Sequence, residues 1–187
     1  IRNQTLDWLA VGLDPERAVI FVQSAVKEHA ELQLLLGMFT PLGLAERCTS
    51  WKDLVIEQGL EEMRTYGFLG YPVLQAADIL MYQAHVVPVG RDQVEHIEKC
   101  QDIAQKINVR YGEVFRIPDW KVSATPVLLG NDGRKMSKSY GNCIYISDSS
   151  KEVWDKMRVM VTDPARVRKT DPGDPEMCTV WDYHKVI

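Results

Sequence analysis

Residues 131–142 read NDGRKMSKSYGN. Arg134, Lys135 and Lys138 stand between Gly133 and Gly141, with Ser137, Ser139 and Tyr140 among them. Lysines offer compact, mobile positive charge to phosphate oxygens, and serine hydroxyls and backbone N–H groups add donors. Phosphoryl-type chemistry needs mainly positioning and charge neutralisation. A loop of this composition can close on a triphosphate and stabilise a departing pyrophosphate. The same residues also suit a solvated surface turn.

A second group lies in YPVLQAADILMYQ, residues 71–83. Tyr71, Gln75, Asp78 and Tyr82 follow one another at helical spacing and form one stripe. Val73, Leu74, Ala76, Ala77, Ile79, Leu80 and Met81 fill the other faces. A helix apolar on its remaining faces is largely buried. The stripe then faces either a cavity or, on a peripheral helix, water. In a cavity Asp78 needs a donor, because a buried carboxylate without partners is costly. A ligand N–H or O–H can supply one. Pro72 suits the first position of this helix, where its missing N–H costs nothing.

A third group lies in HVVPVGRDQVEHIEK, residues 85–99. Strand His85–Val89 ends at Gly90 and a helix follows. Such junctions bring backbone N–H groups to ligands in α/β proteins. Asp92 can accept from ribose hydroxyls, and Gln93 can reach a second substrate. Asp92 and Glu95 also fit a helix-capping box.

These groups need elements to position them. The run Ala18–Gln23 reads as a short strand buried on both faces. Helical spacing covers 4–12, 27–39 and 71–83, and more weakly 51–66 with a break at Gly59. It also covers 91–111, closed by Gly112, and 149–161, stopped by Thr162-Asp163-Pro164. Lys121, Val122 and Val127–Leu129 look extended, as does Cys143–Ile146. DPGDPE at 171–176 reads as a turn-rich link to a last helical start at Cys178. Strands alternating with helices predict a doubly wound α/β protein with a parallel sheet.

The 187 residues suffice for one compact domain with a small appendage. Hydrophobic residues make up 45% and charged residues 26%, as in an ordinary globular protein. The net charge of -4 gives no global polycation, so any anion site is local. No apolar run reaches the roughly 20 residues of a membrane span, and no cleavable signal segment is visible. Cys48, Cys100, Cys143 and Cys178 are widely spaced, which points to free thiols in a reducing, cytoplasmic setting. The chain opens at Ile1 directly in helical pattern and is expected to lack part of its parent's N-terminus.

KMSKS at Lys135–Ser139 is letter for letter the second signature of class I aminoacyl-tRNA synthetases. YPVLQAADILMY, VVPVGRDQVEHIE and IFVQSAVKEHAEL (20–32) resemble the tryptophanyl-tRNA synthetases in order and spacing. The tyrosyl enzymes carry a different text around their Asp–Gln pair. The resemblance runs from about residue 5 to about residue 184.

The resemblance implies a Rossmann-like core over 1–147 that includes the KMSKS loop but lacks its first βα unit. It implies that 148–187 begins a C-terminal helical domain. Asp78 would accept the indole N–H of L-tryptophan, Tyr71 and Gln93 would hold its amino group, and Gln75, Val87 and Val89 would line the side-chain pocket. Gly90, Arg91 and Asp92 would meet ATP, with Asp92 on the ribose, and Pro126 or Val127 would offer backbone to the adenine. Lys135, Met136, Ser137, Lys138 and Ser139 would hold the triphosphate, with Lys135 and Lys138 as the catalytic cations. The implied reaction uses ATP with Mg2+ to form tryptophanyl-adenylate, then charges tRNA(Trp), and the implied assembly is a homodimer.

There are departures. No H-x-G-H-like first signature is present, and the chain begins beyond where it would lie. Arg91 stands where the family often has an acidic residue. Cys178 stands where a family subset starts an iron–sulfur site, but it has no partner cysteines, so no metal is expected. The alternatives are a non-catalytic synthetase-like module that binds tryptophan or a nucleotide, a tyrosine-specific enzyme, and a structural α/β domain whose basic turn contacts a partner.

Overall fold

The computed structural model describes residues 2–122 and 128–185. In chain order the helices are α1 (Arg2–Ala10), α2 (Glu28–Gly37), α3 (Leu42–Glu46), α4 (Thr49–Trp51), α5 (Tyr66–Leu80), α6 (Val94–Tyr111), α7 (Ser150–Arg158) and α8 (Thr179–His184). The strands are β1 (Val86–Val89) and β2 (Asp119–Val122). The chain divides into two compact units, Phe21–Ala124 and Ile1–Ile20 with Thr125–Ile187.

The unit Phe21–Ala124 is built on α5 and α6. On α6, Ile97, Cys100, Ile103, Ala104 and Ile107 recur at three- and four-residue steps and form one buried stripe. They pack with Ala76, Ala77 and Leu80 of α5, Leu36 of α2 and Leu44 of α3 in a single core cluster. α6 is the crossover between β1 and β2, which pair in parallel from Val86↔Asp119 to Val89↔Val122. The class is therefore mixed α/β with a parallel sheet, as the alternation predicts, and two strands make up the described sheet. Gly112, at φ 86°, ends α6 as expected.

Several expectations are corrected. α5 begins at Tyr66, where the Thr65 hydroxyl caps the Phe68 N–H, so Pro72 lies inside the helix. Gly67, Gly70 and Pro72 are weak helix formers that conceal its first turns, and the side-chain cap and the packing against α2 and α6 override them. Ala18–Gln23 is not a buried strand. Val19 is 88% exposed and pairs with no strand among the described residues, and Phe21 packs its ring on His29 and Tyr82 instead. The 51–66 stretch is α4 running into a π-turn (Lys52–Glu57), then Gly59 at φ 64° and a 3₁₀ turn at Glu61–Met63. The Asp92–Glu95 capping box does not form, because Glu95 turns to Lys99 and Thr49.

In the other unit, α7 carries a full capping box, Ser149 with Glu152. The Thr179 N–H, at the start of α8, donates to the Val161 carbonyl, and the Tyr183 hydroxyl donates to the Leu129 carbonyl. The second contact ties α8 to the base of the cationic loop. Cys143–Ile146 forms no strand.

Candidate active site

The α5 stripe meets partners from other segments at each of its stations. The Tyr71 hydroxyl lies 2.6 Å from the Ser50 hydroxyl and 3.0 Å from His96 Nε2. The His96 Nδ1 faces the Cys48 thiol at 3.9 Å. The Gln75 side-chain amide donates across to Gln93 Oε1 at 3.4 Å. Asp78 accepts from His29 Nδ1 at 2.6 Å and from the Gln23 amide at 2.9 and 2.7 Å. Tyr82, the outermost member, reaches His29 Nε2 at 3.0 Å. The stripe therefore faces the protein's own polar groups, between the two pictures its spacing allowed.

Burial sets the chemistry of these groups. Burial pushes the Tyr71 hydroxyl above its usual value, although the Ser50 hydrogen bond opposes this, so it remains a neutral O–H. Burial lowers His96 below the ordinary histidine value, with Glu95 opposing, and it favours a neutral ring. Burial also raises the Cys48 thiol, and it raises Cys100 to about 12, so neither is a reactive thiolate. Burial would raise Glu95, but hydrogen bonds from Lys99 and Thr49 outweigh it and bring it down to about 2.

At the strand–helix junction, Gln93 donates its amide to Asp92 at 3.1 Å. The Asp92 carboxylate folds back over Gly90, where a Cβ would sit 2.6 Å from its Oδ1. The φ of Gly90, -70°, is ordinary, so a side chain there would need only the exposed Asp92 carboxylate to swing aside. Arg91 and Asp92 are exposed, while Val87 and Val89 pack against the core cluster.

The cationic loop is a tight reversal. Leu129 bridges Lys135 antiparallel, the Met136 N–H donates to the Leu128 carbonyl at 2.9 Å, and Gly133 turns at φ 75°. Asn142, 2% exposed, braces it from beneath. Its Oδ1 accepts from the Ser137 N–H at 2.8 Å, and its Nδ2 donates to Asp132 at 2.8 Å and to the Lys135 carbonyl at 3.2 Å. A Cβ on Gly130 would lie 2.3 Å from this amide, so only glycine fits there. Asn142, with Arg134, holds Asp132 down at about 2. Arg134 pairs with Asp132 and lies over the Tyr140 ring at 4.7 Å. Lys135 and Lys138 are exposed, and their ammonium groups have no partner among the described residues. Ser137 accepts from the Ser139 N–H at 3.2 Å. Pro126 and Val127 lie outside the described residues.

Sequence reasoning singled out neither Gln23, His29, Ser50 and His96 nor Asn142. A cavity of about 140 Å³ is lined by Gln33, Tyr66, Leu69 and Val73, and another of about 610 Å³ by Gln83, Asn108, Phe115 and Arg116. Neither is lined by Tyr71, Gln75 or Asp78. Among the described residues, no group of three or more His, Cys, Asp or Glu side chains is placed to hold a metal ion.

Comparison with known proteins shows the family to which this parallel βαβ unit and this KMSKS run belong. The family "tRNA synthetases class I (W and Y)" matches residues 1–187, and the chain belongs to it. Within that family the relatives on the tryptophan side are similar over the whole chain. The chain is 53% identical to the tryptophan–tRNA ligase of Thermotoga maritima over 186 residues, covering 100% of this chain and 57% of that protein. It is 49% identical to the tryptophan–tRNA ligase of Deinococcus radiodurans over 180 residues, covering 95% and 54%. The crystal structure of tryptophanyl-tRNA synthetase from Campylobacter jejuni complexed with ADP and tryptophan matches at a TM-score of 0.82 and 42% identity, covering 98% of this chain and 56% of that one. The chain spans about half the length of the curated relatives it matches.

Proposed function

We propose that this chain is the amino-acid-activating part of a tryptophan–tRNA ligase, which activates L-tryptophan with ATP and passes it to tRNA(Trp). The observation that carries this is likeness to tryptophan–tRNA ligases along the whole chain, together with a KMSKS loop whose two lysines are exposed and whose ammonium groups have no partner among the described residues. The tryptophan carboxylate attacks the α-phosphorus of ATP and displaces pyrophosphate. The tRNA 3′ end then takes the aminoacyl group. Lys135 and Lys138 neutralise the charge that develops on pyrophosphate, and Met136, Ser137 and Ser139 complete the phosphate grip. No side chain acts as a nucleophile.

Asp78 accepts the indole N–H, Tyr71 and Gln93 hold the amino group, and Gln75, Val87 and Val89 line the pocket. The Gln75–Gln93 hydrogen bond supports a common site for α5 and the β1–α6 junction. Gly90, Arg91, Asp92 and Pro126 meet the nucleotide, with Asp92 on the ribose. Magnesium would arrive on the ATP phosphates, as this ion usually does, rather than in a protein cage.

Residues 1–147 are proposed as the catalytic core and 148–187 as the start of the helical domain. The working form is a cytoplasmic homodimer. Four free cysteines suit a reducing compartment, and Leu34, Leu35, Met38 and Leu42 expose apolar surface that a second copy could cover. No described helix is long and apolar enough to cross a membrane. Tryptophan-dependent exchange of labelled pyrophosphate into ATP tests the reaction. Exchange driven by tryptophan and not by tyrosine is the expected outcome, and exchange driven by tyrosine alone excludes the tryptophan assignment.

A further inference from the structure

Asp78 does not wait for a ligand to find its donors. His29 is 4% exposed on α2 and sends Nδ1 to Asp78 Oδ1 at 2.6 Å. A carboxylate only accepts, so this nitrogen carries the proton. In the neutral ring the other nitrogen then accepts, and the Tyr82 hydroxyl, 3.0 Å away, donates to it. The partners on its two sides thus select one tautomer and one ring orientation. The Phe21 ring, with its centroid 5.7 Å from that of His29 and 5.6 Å from that of Tyr82, adds packing to both.

The second donor is of a different kind. Gln23 is exposed, in a one-turn 3₁₀ segment, and its amide straddles both carboxylate oxygens at 2.9 and 2.7 Å. His29 is fixed by burial on a helix, whereas Gln23 is held mainly by Asp78 itself. Asp78 keeps 35% of its side chain exposed, so a ligand can reach it, while the His29 side chain at 5% is out of reach. A carboxylate offers about four lone-pair directions. His29 takes one of them permanently, and Gln23 covers others in a way a small movement can undo.

We propose that His29 is a positioning residue that aims Asp78 at an indole N–H, and that Gln23 is a stand-in donor that yields when the N–H arrives. This rests on Asp78 being the indole reader. A carboxylate aimed by a buried histidine discriminates by N–H geometry, because an analogue without the N–H leaves a polar group unpaired. The stand-in keeps Asp78 satisfied in the free protein and lowers affinity by the competition it offers.

The test is the affinity of the full chain for tryptophan and for β-(3-benzothienyl)alanine, which has sulfur in place of the indole N–H. Both are measured by calorimetry in the wild type, Asp78→Asn, His29→Leu, Tyr82→Phe and Gln23→Ala. The expected wild type prefers tryptophan by about tenfold or more, and Asp78→Asn abolishes the preference. His29→Leu cuts it to about twofold while ATP affinity holds. Tyr82→Phe, at an exposed position that tolerates the change, cuts it by about threefold and decides the matter if the leucine variant does not fold. Gln23→Ala tightens tryptophan about threefold. A wild type that treats both ligands alike overturns the Asp78 assignment itself. A preference lost in Asp78→Asn but intact in His29→Leu and Tyr82→Phe leaves Asp78 as reader and overturns the role of His29. Unchanged or weaker tryptophan binding in Gln23→Ala overturns the stand-in.

Discussion

The α5 stripe and the 130–142 loop handle their polar groups in opposite ways. On α5 the side chains of the proposed site are already engaged. Tyr71 is held by Ser50 and His96, Gln75 by Gln93, and Asp78 by His29 and Gln23. In the loop the backbone is engaged and the cations are not. Asn142 ties Ser137, Lys135 and Asp132 together through their main chain and carboxylate, while Lys135 and Lys138 extend without partners among the described residues. The contrast fits the ligand proposed for each. An indole N–H is one directed donor, and selecting for it needs an acceptor of fixed direction. A triphosphate is a diffuse anion, and mobile ammonium groups on a fixed base can follow its charge through the transition state.

The largest test of this contrast is Lys138→Ala. Removing a charge proposed to act in the transition state is expected to slow adenylate formation by about 10²- to 10³-fold. Tryptophan affinity and thermal stability should stay near wild type. Single-turnover kinetics beside equilibrium binding would show the split, and equal losses in both would place Lys138 in ground-state binding.

Asp78→Ala should behave in the opposite way. It is expected to weaken tryptophan by about 1–3 kcal/mol and to lower stability by a similar amount, because it strands the buried His29 N–H. Calorimetric titration and thermal melting measure the two together. A variant that loses affinity with no change in stability would mean His29 readily finds another partner.

Asn142→Ala removes the brace and leaves the lysines in place. We expect about 1–3 kcal/mol of lost stability, from the unpaired Ser137 N–H and Lys135 carbonyl. Adenylate formation should fall more than tryptophan affinity. If ATP kinetics are unchanged, the loop does not depend on its base.

The smallest effect concerns pH. Burial holds His96 below its ordinary 6.5, with Glu95 opposing, so the unfolded chain takes up this proton first as pH falls. Stability should therefore decline as pH drops through about 6.5 and recover as it rises. His96→Gln should flatten that part of the stability profile. A profile as steep as that of the wild type would assign the dependence to another group.

What the sequence revealed was local. The spacing of Tyr71, Gln75, Asp78 and Tyr82 is a property of one helix, and the KMSKS run is contiguous, so both could be read directly. Partners could not, because His29 lies 49 residues from Asp78 and Asn142 reveals its role only through burial, which is unusual for asparagine. The parallel β1–α6–β2 unit was legible from alternation, whereas the start of α5 was hidden by Gly67, Gly70 and Pro72. Ala18–Gln23 has strand composition but no described strand beside it, and composition alone does not make a ladder.

Calorimetric titration with a non-hydrolysable tryptophanyl-adenylate analogue and its tyrosyl counterpart tests the central claim most directly. A strong preference for the tryptophanyl form is predicted, weakened in Asp78→Ala. A preference for the tyrosyl form would contradict the tryptophan assignment and leave only membership of the class I family.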